Sequence, residues 1–74
     1  MLFRSHRAER EAQILACLRD GIDTIPEMVR RLYRDVDPRL HGAAGRSVLA
    51  HLNELLERGT IRREGTSSAA RYRL

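Results

Sequence analysis

The stretch Leu52-Asn53-Glu54-Leu55-Leu56-Glu57-Arg58-Gly59-Thr60-Ile61-Arg62-Arg63-Glu64-Gly65 changes its apolar period in the middle. Before Gly59, Val48, Leu49, Leu52, Leu55 and Leu56 fall on one side of a helix at about 100° per residue. After Gly59 the period drops to two. Ile61 lies between Thr60 and Arg62, and further on Tyr72 and Leu74 alternate with Arg71 and Arg73. Glycine stops a helix readily because it accepts a left-handed backbone. Gly65-Thr66-Ser67-Ser68 reads as the turn between two short strands. The stretch therefore predicts a helix from about Ala43 to Arg58, followed by a two-stranded ribbon.

Working upstream, Thr24-Ile25-Pro26-Glu27 opens an earlier helix. Thr24 is a capping residue, and Glu27, three positions on, can reach back to it in a capping box. Pro26 falls in the first turn, where its missing N–H does no harm. Met28, Leu32 and Tyr33 form the inner stripe of this helix, with Val29 or Ile25 at its edges. Asp37-Pro38 ends the helix and restarts the chain, Asp37 as N-cap and Pro38 as the first helical residue. A first helix starts near Ser5 and ends before Gly21, with Glu11, Ile14, Leu15 and Leu18 as its stripe. Its first half, His6-Arg7-Ala8-Glu9-Arg10, is charged all round. The order is that of a winged helix-turn-helix, mainly α with a small β-ribbon: three helices and a two-stranded wing. Leu18, Leu32, Leu52, Ile61 and Tyr72 are expected to be buried together.

Seventy-four residues make one domain, close to the lower limit for a self-sufficient core. Its basic residues are 14 arginines with no lysine, and the formal net charge is +4. That charge is uneven: +2 over residues 1–34, −1 over 35–59 and +3 over 60–74. It concentrates in the terminal ribbon rather than in the third helix. The single cysteine, Cys17, excludes an internal disulfide and suits a reducing compartment, so the expected location is cytoplasmic. Its expected role is a small apolar residue flanking the core stripe. No apolar run reaches membrane-spanning length, and no membrane partner is expected.

The residues exclude chemistry more clearly than they assign it. His6, His41 and His51 are far apart and lack metal-ligand spacing, so neither a metal nor another cofactor is expected in this chain. Ser47 has no evident His–Asp partners, and Gly42-Ala43-Ala44-Gly45 lacks the strand and lysine of a phosphate-binding loop. No catalytic residue is expected, which leaves binding. Arg46, Ser47, Ala50, Asn53, Glu54 and Glu57 lie opposite the apolar stripe of the third helix. Arg46 is the one basic residue there and two are acidic, which opposes insertion into a polyanionic groove. Arg46, Arg62, Arg63, Arg71 and Arg73 are the candidate phosphate or anion contacts, giving at most weak, non-specific nucleic-acid binding.

Three segments carry a family resemblance: His6-Arg7-Ala8-Glu9-Arg10-Glu11, Thr24-Ile25-Pro26-Glu27, and Asp37-Pro38-Arg39-Leu40-His41 leading into Ser47-Val48-Leu49-Ala50-His51-Leu52. Together they resemble the C-terminal winged-helix domain attached to metallo-β-lactamase-fold hydrolases, of the β-lactamase-like protein 2 type. The resemblance spans residues 6–74 and leaves residues 1–5 as an added or disordered start. It departs from the family at Gly42, where a proline is usual, and at Tyr72, where a tryptophan is common. It implies a non-catalytic accessory domain whose partner is a metal-dependent hydrolase domain in the same parent chain. The dinuclear metal site, expected to hold zinc, belongs to that domain. His6, Arg7 and Arg10 are then the expected interface with it. The alternatives are a free-standing DNA-binding transcriptional regulator and a structural or dimerisation module.

Overall fold

The computed structural model describes residues 2–65 and 70–74, with residues 2–7 as helical backbone. Helix α1 spans Leu2–Arg19, α2 Ile25–Leu32 and α3 His41–Glu57, with a 3-10 turn at Pro38–Leu40 before α3. Strands β1 (Arg62–Glu64) and β2 (Arg71–Arg73) pair antiparallel, with Arg62 opposite Arg73, Arg63 opposite Tyr72 and Glu64 opposite Arg71. Three helices and a two-stranded ribbon in this order make a winged helix, as the change of period at Gly59 predicts. Thr66 to Ser68 of the expected turn lie outside the described residues; Gly65 begins it at φ +84°.

Two glycines do the stopping. Gly21 and Gly59 sit at φ +83° and +75°, where a side chain would be strained. After α1, the N–H of Ile22 donates to the Cys17 carbonyl at 2.9 Å and that of Gly21 to Leu18 at 3.2 Å. After α3, Thr60 donates to Leu55 and Gly59 to Leu56, both at 3.0 Å. Both are Schellman closures, which satisfy carbonyls the helix leaves open and turn the chain sharply.

The helix starts differ from expectation. α1 begins at Leu2, so Ser5 lies inside the helix instead of capping it. Thr24 does occupy the N-cap of α2, but its hydroxyl donates to Glu27 Oε1 at 2.9 Å and caps no backbone N–H. The capping box is thus reduced to a side-chain pair. Asp37 accepts from the Arg39 N–H at 2.9 Å and initiates the 3-10 turn. That turn feeds directly into α3, which begins at His41 rather than Ala43 and takes Gly42 as its second residue without loosening.

The core gathers one line from each element: Ile14 and Cys17 of α1, Met28 and Val29 of α2, and Ala44, Val48, Leu52 and Leu55 of α3. Ile61, Ala70 and Tyr72 close it from the ribbon side. Of the five residues expected together, Leu52, Ile61 and Tyr72 are buried, whereas Leu18 and Leu32 are half-buried against the cluster. The inner line of α1 runs through Ile14 and Cys17, three apart, which leaves Leu18 at its flank. Cys17 is therefore fully buried in the core itself, and burial pushes its thiol pKa up. On α3 the inner line passes through Ala44 and excludes Leu49, which is 36% exposed. Leu74, read as part of the strand alternation, lies past the end of β2 and is 50% exposed.

These placements set two expectations. Leu52→Ala should lower unfolding free energy by about 2–5 kcal/mol in urea titration, while Leu74→Ala should stay within about 0.5 kcal/mol. The second concerns the restart at Asp37, whose carboxyl is held below its ordinary 3.8, first by the Arg39 guanidinium and then by the Arg39 N–H. A carboxyl depressed in the folded state stabilises it above the unfolded value and loses that contribution as pH falls through the folded value. Asp37→Asn should therefore flatten the fall of the thermal midpoint below about pH 4, and leave the midpoint's pH dependence near neutrality unchanged.

Candidate functional site

The ribbon register decides which wing arginines are available. Residues directly opposite on paired strands share a face. Tyr72 is buried, and Arg63 lies on its side of the ribbon, but at an exposed position beyond the core. There Arg63 borders an open cleft of about 530 Å3 with Asn53, Leu56 and Glu57 of α3. Arg62, Glu64, Arg71 and Arg73 occupy the other face. Arg73 Nε donates to Glu64 Oε1 at 2.7 Å, and Arg71 Nη1 lies 3.2 Å from Asp23 Oδ2. Both arginines are thus committed within the chain. Among the described residues Arg62, Arg63 and Arg46 make no ion pair.

Arg46 is exposed, seven residues and about 10 Å along α3 from Asn53. The five candidate anion contacts are all on the surface, but they do not form one cluster. Of the three without an ion pair, Arg46 is on α3 and Arg62 and Arg63 are on β1. Ser47, Ala50, Asn53 and Glu57 are exposed as the helical rotation predicts. Glu54 is half-buried, so Glu57 is the fully exposed carboxylate on that side.

The charged segment at the start of α1 divides. The side chains of His6 and Arg7 lie outside the described residues. Arg10 is half-buried: its guanidinium carbon lies 4.6 Å from the centroid of the Tyr33 ring, and Nη1 donates to Gln13 Oε1 at 2.7 Å. Such a cation over a ring face is attracted by the ring quadrupole. The next residue, Glu11, accepts from Arg58 at the end of α3 and holds the Arg58 pKa above its ordinary value. Adjacent residues of one helix therefore clasp α2 and α3, and Arg10 in its observed position faces inward to its own domain.

This pair of contacts escapes a reading by apolar period alone. The available signal is Glu11 itself, a carboxylate three residues before Ile14 on the core-facing stripe, where it needs a cation. Its side chain is 15% exposed and Arg58 supplies the partner. His41 is half-buried, with Nε2 3.3 Å from the Tyr33 carbonyl. His51 is half-buried one face away on α3. Among the described residues no group of three or more His, Cys, Asp or Glu could hold a metal ion. None of their helices is long and apolar enough to cross a membrane. What the surface offers chemically is anion contact and protein contact.

Comparison with known proteins agrees with this geometry. No solved structure matches the chain. Residues 24–71, from the cap of α2 to the first residue of β2, match the family described as the beta-lactamase associated winged helix domain. The match covers both helices of the helix-turn-helix and reaches the wing, and the chain belongs to that family of winged-helix domains associated with β-lactamases.

Proposed function

We propose that this chain is the non-catalytic accessory domain of a metallo-β-lactamase-fold, metal-dependent hydrolase, supporting a catalytic domain in the same parent chain. The observation that carries the reading is the family match over residues 24–71. The domain extends over residues 6–74, because Ile14 and Cys17 of α1 complete the core that the matched segment builds. The dinuclear site, with zinc as its metal, belongs to the catalytic domain. A single buried thiol at Cys17 is in keeping with a cytoplasmic, reducing setting. His6 and Arg7 remain the interface candidates on α1, since Arg10 is engaged by Tyr33.

In this reading Arg46, Arg62 and Arg63 help position an anionic substrate, a nucleic acid or an ester, against the catalytic domain. Arg71 ties the wing to the α1–α2 connection through Asp23, and Arg73 ties its two strands together through Glu64. The reading frame upstream of the Met1 codon tests the accessory role. A continuous frame encoding a histidine-rich hydrolase domain is expected, whereas a stop codon and a separate promoter would overturn it.

The substrate-positioning part has its own measurement, a salt titration with two unrelated duplexes and a single strand. Three neutralised phosphates at most give a slope no steeper than about −2.7 in log affinity against log salt. Binding should be weak, indifferent to sequence and almost lost at physiological salt. Glu57→Gln should tighten it without creating a preferred sequence. A preferred duplex bound far more tightly than random DNA at physiological salt makes the chain a base-reading regulator instead, and no binding at low salt makes the wing a protein-facing surface.

A further inference from the structure

The side of the domain formed by α2 and the first turns of α3 carries a groove that the accessory reading does not use. Ile25, Pro26 and Val29 of α2 face His41, Gly42 and Gly45 of α3 across a space of about 400 Å3, with Arg30 on its rim. The glycines do not permit a close helix approach. A Cβ on Gly42 would meet nothing within 4 Å, and one on Gly45 would reach only Ile25 and Val29, at 3.7 and 3.9 Å. Both positions could carry a side chain that packs the groove shut, and neither does. The apolar surface continues beyond it, through Leu40 at 56% and Leu49 at 36% exposed. Leu49 follows Gly45 by one turn on the same face of α3.

The charged side chains lining or bordering the groove itself are cationic, although Glu27 lies beside Arg30 on the outer side of α2. Arg30 is on the rim, and Arg46 follows Gly42 by one turn on the same face. Neither has an ion pair or hydrogen bond among the described residues, whereas Arg31, Arg39, Arg58, Arg71 and Arg73 each hold a carboxylate. No Asp or Glu lines the groove. An aliphatic floor beside two uncommitted guanidinium groups complements an aliphatic side chain flanked by carboxylates, which arginine forks accept in bidentate fashion.

We propose that the groove between α2 and α3 binds a short protein segment presenting an aliphatic side chain flanked by Asp or Glu. The segment docks its side chain between Val29 and Gly45 and its carboxylates on Arg30 and Arg46. This goes beyond the accessory reading, because the groove's chemistry selects the segment whichever protein carries it.

The test follows amide signals of the isotope-labelled 74-residue chain by NMR during titration with acetyl-Glu-Leu-Leu-Glu-amide. Saturable shifts should centre on Gly42, Gly45 and Arg30. The lysine-flanked counterpart, acetyl-Lys-Leu-Leu-Lys-amide, should bind about tenfold more weakly, the effect of two exposed charge pairs. Gly45→Leu fills the groove and should abolish the saturable shifts while thermal unfolding stays cooperative. Should that variant not fold, the surface double variant Arg30→Glu with Arg46→Glu carries the test and should reverse the preference between the two peptides. Equal binding of both peptides, shifts centred elsewhere, no shifts, or displacement of the acidic peptide only by duplex DNA would each overturn the proposal. Those failures leave the accessory role untouched, since the upstream reading frame decides it separately.

Discussion

The ribbon has to be fastened to the helices at Tyr72, and much of the remaining surface follows from that. Tyr72 is 2% exposed, and its N–H donates to the Asp23 carbonyl at 2.9 Å, in the segment between α1 and α2. One residue thus joins the wing to the core by apolar contact and to the α1–α2 connection by a backbone bond. With Tyr72 facing inward, strand alternation turns Arg71 and Arg73 outward. Arg71 then reaches the side chain of Asp23, whose carbonyl already holds Tyr72. The anchoring strand therefore commits Arg71 to the helices through Asp23 and Arg73 to its own partner strand through Glu64. Of the four arginines in the ribbon, Arg62 and Arg63 make no ion pair among the described residues.

A second fastening joins α1 to the other two helices. Among the described residues α1 contributes Ile14 and Cys17 to the buried set, with Leu15 and Leu18 packed against it, while α3 contributes four buried residues. Arg10 over Tyr33 and Glu11 on Arg58 tie its middle to the ends of both other helices. Exposed ion pairs individually add little. Glu11 differs because its side chain is 15% exposed, so the Arg58 guanidinium serves a largely desolvated carboxylate.

The fold was legible in the sequence where a local rule had no competitor. Gly21, Gly59 and the Asp37-Pro38 restart mark their boundaries because a left-handed residue, or a proline after a capping carboxylate, has few other uses. The change of period at Gly59 revealed the ribbon. Less legible were the choices between neighbouring apolar residues. Leu49 and Leu56, seven residues apart, lie on the same flank of the inner line of α3, yet Leu56 packs against the core and Leu49 is 36% exposed, so cover on that flank differs along the helix. Leu74 obeys the alternation yet extends past the last paired residue, so nothing covers it. For the candidate site, exposure of the arginines was readable, but their pairing was not. Arg71 finds Asp23 across 48 positions, a separation at which sequence spacing carries no information.

The same limitation bears on how a recognition helix is judged. By composition, α3 is a poor reader of duplex DNA because carboxylates share its outer face with one arginine. The structure withdraws Glu54 from that argument, since it is half-buried, and leaves Glu57 close to Arg63 at the mouth of the cleft. A carboxylate beside a phosphate-seeking arginine weakens contact at that point without forbidding it at Arg46, about three turns earlier on the helix. The early turns of α3 are the least acidic part of its surface. They are also the part that borders an open aliphatic groove with glycines on its wall. Basic character and apolar shape coincide there, and a polyanion alone would make no use of the shape. That coincidence favours a protein surface over a nucleic-acid backbone as the complement of this face.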